Sequence, residues 1–148
     1  MYTHILVPHD GTRLSEGALV HALKLARAIG ARVGVLHVIT DFVGDAVAAV
    51  PMLSTAAGEA YQQRAIADAE AILAGAERTG RAHDVPIETR YVLAADPYKA
   101  IVDAAEQNGN DLIVMASHGR RGLESLLIGS ETQKVLTHCR VPVLVVRS

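Results

Sequence analysis

The 148-residue chain has one cysteine, no tryptophan, one phenylalanine and four tyrosines. A lone thiol at Cys139 excludes an intrachain disulfide and a multi-cysteine zinc site. With aromatics so scarce, the core must be built from Val, Leu, Ile and Ala, whose small side chains suit close packing of helices on a sheet. Charge of one sign is lacking too: 14 Lys and Arg stand against 16 Asp and Glu, a formal charge of −2. A nucleic-acid partner, which calls for a concentrated basic surface, is therefore not expected. No apolar run approaches the roughly 20 residues that span a bilayer. Met1-Tyr2-Thr3-His4 leads into a short apolar run without a basic stretch before it. The expectation is a cytoplasmic location with no membrane partner. The seven histidines (4, 9, 21, 37, 83, 118 and 138) show no metal-ligand spacing, so no protein-held metal is expected.

Half of the residues are hydrophobic, and their periods alternate along the chain. His4-Ile5-Leu6-Val7-Pro8 reads as a buried strand closed by Asp10-Gly11. Ala18, Ala22, Leu25, Ala26 and Ile29 repeat at helical spacing, and Gly30 follows where a helix end favours positive φ. A strand about Arg32 to Val38 comes next. From Ile39 to about Ala56 the period is lost, as in a long loop or broken helix. A long helix about Gly58 to Arg81 precedes an alternating strand from Ile87 to Tyr91, whose wetter face places it near a sheet edge. Pro97 opens a short helix that Asn108-Gly109-Asn110 ends. Leu112 to Met115 is apolar throughout, hence covered on both faces, and a helix about Glu131 to His138 leads to a last strand, Pro142 to Val146. Strands alternating with helices require a parallel sheet with right-handed crossovers. The expectation is one α/β domain over residues 1–148, doubly wound, with helices on both faces.

Ligands of such sheets bind beyond the carboxyl ends of the strands. Three loops leave those ends: Pro8-His9-Asp10-Gly11-Thr12, the stretch after Val38, and Ser117-His118-Gly119-Arg120-Arg121-Gly122. In the third, glycines admit an anion close to the backbone and two arginines add positive charge. The chain then returns to Gly129-Ser130 at a helix start, where unpaired N–H groups and about half a positive charge favour phosphate. Ser130-Glu131-Thr132-Gln133 also fits a capping box, and Asp10 fits a turn brace.

Ala116-Ser117-His118-Gly119, nine further residues and then Gly129-Ser130 resemble the nucleotide loop of the universal stress protein family. That family's pattern is Gly, two residues, Gly, nine residues, then Gly with Ser, Thr or Asn. Ile5-Leu6-Val7-Pro8-His9-Asp10-Gly11, Leu36-His37-Val38 and Val141-Pro142-Val143-Leu144-Val145-Val146 match as well, so the resemblance covers the chain. It implies five parallel strands in the order 3-2-1-4-5, of the adenine nucleotide α-hydrolase-like type, and a site for ATP or a related adenine nucleotide. By that resemblance Asp10 meets the ribose or a Mg²⁺-bound phosphate, and the Val38 backbone meets adenine. Gly119, Gly129 and Ser130 hold the ribose and phosphates. Around them the candidate site takes in Pro8, His9, Met115, Ala116, Ser117, His118, Arg120, Glu131 and Thr132. Two residues depart from the pattern. Ala116 replaces the first glycine, tolerable at negative φ, and Glu131 sets a carboxylate beside the phosphate position, repulsive unless it turns outward or meets Mg²⁺.

The final strand is apolar and lies at the sheet edge, a liability that a two-fold partner would cover, so a homodimer through Pro142 to Val146 is expected. The ligand reads as regulatory in stress signalling. With no lysine in a Gly-x-x-x-x-Gly-Lys loop and only Asp10 or His9 as a base, any ATP hydrolysis is expected to be slow. Two other readings stand beside this one: a dimeric interaction module without nucleotide, and, more distantly, a serine hydrolase using Ser117 after the manner of a nucleophile elbow.

Overall fold

In the computed structural model, residues 1–40, 55–118 and 128–147 are described. Gly119, Arg120, Arg121, Gly122 and most of the aperiodic stretch after Ile39 lie outside them. The elements follow as β1 (His4–Pro8), α1 (Arg13–Ile29), β2 (Arg32–Ile39), α2 (Thr55–Ala82), β3 (Ile87–Leu93), α3 (Pro97–Gln107), β4 (Leu112–Ala116), α4 (Ser130–His138) and β5 (Val143–Val146). Every strand pair is parallel, and the sheet order is β3-β2-β1-β4-β5, as the resemblance implied.

Successive strand residues point to opposite sheet faces, and the apolar side chains divide accordingly. Ile5, Val7, Val33, Val35, Leu112 and Val114 join Leu19, Leu23 and Ala26 of α1 and Leu73 and Ala76 of α2. Leu6, Leu36, Ile113 and Met115 join Ile101, Ala104 and Ala105 of α3 and Val135 of α4. Each aliphatic side chain so buried contributes about 1.5–3 kcal/mol. The run Leu112 to Ala116 needs no alternation because both its faces are covered, and all five residues are buried. β3 lies at the edge, and Glu88 and Arg90 are exposed on the face opposite α2.

Local chemistry fixes the ends of these elements. Thr12 is the N-cap of α1 and accepts from the Ser15 amide at 3.2 Å. Gly30 ends that helix at φ 73°, where L side chains are strained. At the opposite edge of the sheet the Asp111 carboxylate accepts from the Thr3 and His4 amides, at 2.8 and 2.9 Å, and from the Thr3 hydroxyl. Burial pushes the Asp111 carboxyl up, but these donors outweigh it and hold its pKa below the ordinary value.

The structure corrects one local expectation. Residues 130–133 do not form a capping box: α4 starts at Ser130, Gly129 is its N-cap, and no side chain among the described residues caps that end. The Gln133 amide donates to the Gly129 carbonyl at 3.0 Å, the first bond of the helix. α2 also begins earlier than its periodicity suggests, at Thr55 rather than about Gly58.

Candidate functional site

β1 and β4 are neighbours, so the loop after Pro8 and the loop after Ala116 leave the carboxyl edge side by side. α4 is drawn to the same place by two bonds. The Gly129 amide donates to the Ser117 carbonyl at 2.7 Å, and the buried Thr132 hydroxyl donates to the Ala116 carbonyl at 3.0 Å. Pro8, His9, Asp10, Met115, Ala116, Ser117, His118, Gly129, Ser130, Glu131 and Thr132 thus gather at one edge. Gly119 and Arg120 lie outside the described residues.

The start of α4 has the features of an anion cradle. The amides of Ser130, Glu131 and Thr132 precede the first intrahelical bond and meet no acceptor among the described residues. Ser130 is exposed and Gly129 partly so, which leaves this end open to solvent. Gly129 has φ −59° and ψ 155°, a conformation open to any residue. A glycine here sets no side chain beside these amides. Ala116 satisfies the condition its methyl imposes: Asp84 is the one non-glycine residue with positive φ among those described.

Glu131 turns away from this cradle. Its Oε2 accepts from the Tyr98 amide at 3.0 Å in the first turn of α3, and Lys134 lies 3.3 Å from its Oε1. Asp96, the N-cap of α3, makes no side-chain cap bond, so Glu131 satisfies an α3 donor from the neighbouring helix. Lys134 also lies 5.4 Å from the Tyr98 ring centroid, over a ring that itself packs on His138. The carboxylate that threatened the phosphate position is therefore used to join α4 to α3.

The β1 loop is braced from below. The Asp10 Oδ1 accepts from the Thr12 amide at 3.0 Å and from the Thr12 hydroxyl, which forms the turn before α1. His9 is buried. Its Nδ1 accepts from the Gly11 amide at 3.1 Å, which places the proton on Nε2, and Nε2 donates to Glu16 Oε2 at 3.0 Å. The other oxygen of Glu16 accepts from Thr79 of α2 at 2.6 Å. His37 Nδ1 donates to the His9 carbonyl at 2.8 Å, tying the end of β2 to the loop. His9 thus serves the site by holding the loop. Glu16, Thr79 and Tyr98 were not picked out from the sequence. Glu16 stands seven residues from His9 and Thr79 stands 63 from Glu16, separations with no motif to announce them.

At β2 the His9 amide donates to the Leu36 carbonyl at 2.9 Å. In a parallel ladder, residues two apart direct their backbone groups to the same neighbour. Val38 therefore presents its N–H and C=O on the β1 side, past the point where β1 turns away at Pro8.

The Ser117 hydroxyl lies 3.0 Å from His118 Nδ1, and His118 Nε2 has no partner among the described residues. Among the described residues this pair has no carboxylate behind the histidine, and Ser117 is 5% exposed. A hydrolytic triad is not assembled from the described residues. Among them there is also no cluster of three or more His, Cys, Asp or Glu fit for a metal ion, and no helix long and apolar enough to cross a membrane.

The family model described as "Universal stress protein family" matches residues 1–147. A universal stress protein of Thermus aquaticus is 33% identical over 150 residues, spanning 99% of this chain and 100% of its own. MJ0531 of Methanocaldococcus jannaschii is 30% identical over 149 residues, spanning 99% of this chain and 83% of its own. The solved structure of MJ0577, from the same archaeon, superposes with a TM-score of 0.83 at 28% identity, covering 100% of this chain and 97% of that one. More distant structures of the same fold include a universal stress protein in complex with cAMP, at 24% identity and TM-score 0.69, and one from Arabidopsis thaliana with AMP bound, at 16% and 0.70. With its sheet order, its carboxyl-edge loops and a match over nearly its whole length, the chain belongs to the universal stress protein family.

Proposed function

We propose that this protein binds an adenine nucleotide, ATP with Mg²⁺ as the intact ligand, at the carboxyl edge of its sheet as a regulatory ligand. The observation that carries the reading is the start of α4: three amides without acceptors among the described residues, behind a glycine, with the Glu131 carboxylate committed to α3. Hydrogen bonds to a charged group contribute about 1.5–3 kcal/mol each, so three give about 5–9 kcal/mol before association costs. Contacts to base and ribose bring this to the roughly 8 kcal/mol of a micromolar complex. Asp10 on the ribose side and the Val38 backbone on the adenine side supply those contacts. Related proteins of this fold carry cAMP and AMP, which supports the base and ribose end of the reading more than the triphosphate. Mg²⁺ would arrive on the phosphates. Asp10 is the described carboxylate on that side and already accepts from the Thr12 amide and hydroxyl, so turnover would be slow.

Two copies would join along β5. Val143–Val146 is wholly apolar, lies at the sheet edge and is only half-buried, so a second copy would cover it. Single-domain organisation in a cytoplasmic setting completes the reading.

The test is calorimetric titration of ATP and Mg²⁺ into the wild type and into Gly129→Val, whose backbone angles accept valine. Micromolar binding by the wild type with at least a tenfold loss in the variant is expected. Equal binding by both would remove the cradle from the account. Silence from both, with a dimer still seen by sedimentation, would leave the interaction module.

A further inference from the structure

β3 is the outermost strand on its side of the sheet, and its outer edge has no neighbour among the described residues. The Ala94 amide donates to the Ile39 carbonyl at 2.9 Å. Residues two apart in a parallel ladder address the same neighbour, so Glu88, Arg90 and Val92 turn their backbone groups to β2. Ile87, Thr89, Tyr91 and Leu93 turn theirs to the open side. We propose that a second copy of this chain pairs there, β3 against β3 in antiparallel order about a two-fold axis at Thr89, independently of the nucleotide reading and of the contact along β5.

Three observations carry the proposal. First, the strand is complementary to itself in that register. Thr89 opposes Thr89 of the second copy, and on either side Ile87 opposes its Tyr91 and Glu88 opposes its Arg90. Directly opposed residues of an antiparallel pair interact on one face, and aromatic–β-branched and opposite-charge pairs stabilise the contact. Ile87, Thr89 and Tyr91 are the residues whose backbone groups face outward, so their pairs are the hydrogen-bonded ones, each exchanging two N–H···O bonds. A two-fold axis at Glu88 or at Arg90 would set like charges opposite. One at Tyr91 would set Glu88 against Ala94 and Arg90 against Val92.

Second, the charges are available for these pairs. Glu88 and Arg90 are exposed, and Glu88 makes no ion pair among the described residues. Arg90 gives one N–H to Asn108 Oδ1 at 3.2 Å and keeps its other guanidinium donors. Third, the edge is bare and has room beside it. Sheet edges are commonly blunted by proline, lysine, a bulge or shortness. β3 runs seven residues without proline or lysine, in unbroken register with β2. A cavity of about 510 Å³ lies between α2 and this strand, lined by Leu73, Ala74, Thr89 and Tyr91 among others. The helix thus stands back from the edge, and Ile87 and Tyr91 of the second copy have space against it.

The test is sedimentation equilibrium of the full chain at low salt, from about 10 μM to about 1 mM. The wild type should contain a species of twice the mass of the form that remains in Thr89→Pro, which loses the central outward N–H. Glu88→Arg and Arg90→Glu, both at exposed positions, each set like charges opposite at two symmetry-related pairs and should weaken the association at least tenfold. These two decide the matter if the proline variant does not fold. Glu88→Arg combined with Arg90→Glu restores opposite charges and should recover the association. An equal mixture of the two single variants should associate as well, because one then carries only arginine at these positions and the other only glutamate. Association that ignores both charge reversals would belong to another surface, such as β5, and would overturn the proposal. So would the absence of any doubled species at about 1 mM, or single variants that stay apart when mixed.

Discussion

Glu131 offers the sharpest test of how the site is organised, because its position in sequence and its position in space suggest opposite effects. By sequence it stands one residue into the helix that would hold phosphate, where its charge should weaken binding. In the structure its carboxylate accepts from the Tyr98 amide at 3.0 Å and is paired with Lys134. Glu131→Ala removes the only side-chain cap seen on the first turn of α3 among the described residues, an effect worth about 0.5–2 kcal/mol at helix starts. The Glu131 side chain is 41% exposed, so the lower half of that range applies, at most about 1 kcal/mol, with a fall of no more than about 2–4 °C in Tm. Glu131→Gln keeps an acceptor and loses only the charge at the helix end, about 0.3–1 kcal/mol. Urea denaturation at neutral pH reads the stability of both variants, and calorimetric titration with ATP and Mg²⁺ reads binding. The expected result is a ranked loss of stability, Ala greater than Gln, with affinity changed by no more than about threefold. A rise in affinity of more than about tenfold in Glu131→Gln, with stability untouched, would show the carboxylate facing the phosphates and refute the arrangement.

Two further outcomes follow from other contacts. Thr132→Val leaves the buried Ala116 carbonyl without its 3.0 Å donor, and should cost about 1–2 kcal/mol in chemical denaturation while loosening α4 from β4. Asp111 has its pKa held below the ordinary carboxylate value, so its contribution is complete above the unfolded-state pKa and is lost as pH falls through the folded one. Asp111→Asn should therefore flatten the acid limb of stability against pH below about pH 4, and an unchanged limb would deny that role to its bonds with Thr3 and His4.

Features written in short-range pattern were legible in the sequence. The unbroken apolar run Leu112 to Met115 reported a strand covered on both faces, and the alternation Ile87 to Tyr91 reported an edge. Gly30 marked a helix end because only a residue tolerant of positive φ suits that position. Ser130 was harder. Its hydroxyl and the glutamine three residues on imitate a capping box, yet the helix starts one residue earlier and leaves Gly129 as the cap. The contacts that organise the site join residues far apart in the chain. Glu131 meets Tyr98 across 33 positions, and Thr79 meets Glu16 across 63, and no periodicity encodes either.

Backbone amide shifts on titration with ATP and Mg²⁺ reach the central claim most directly. Ser130, Glu131 and Thr132 should move together and saturate with a single micromolar constant, while the amides around Asp111 at the far edge stay still. Nucleotide binding that leaves these three unmoved, or no binding at millimolar ATP, would contradict the assignment of the α4 start as the phosphate cradle.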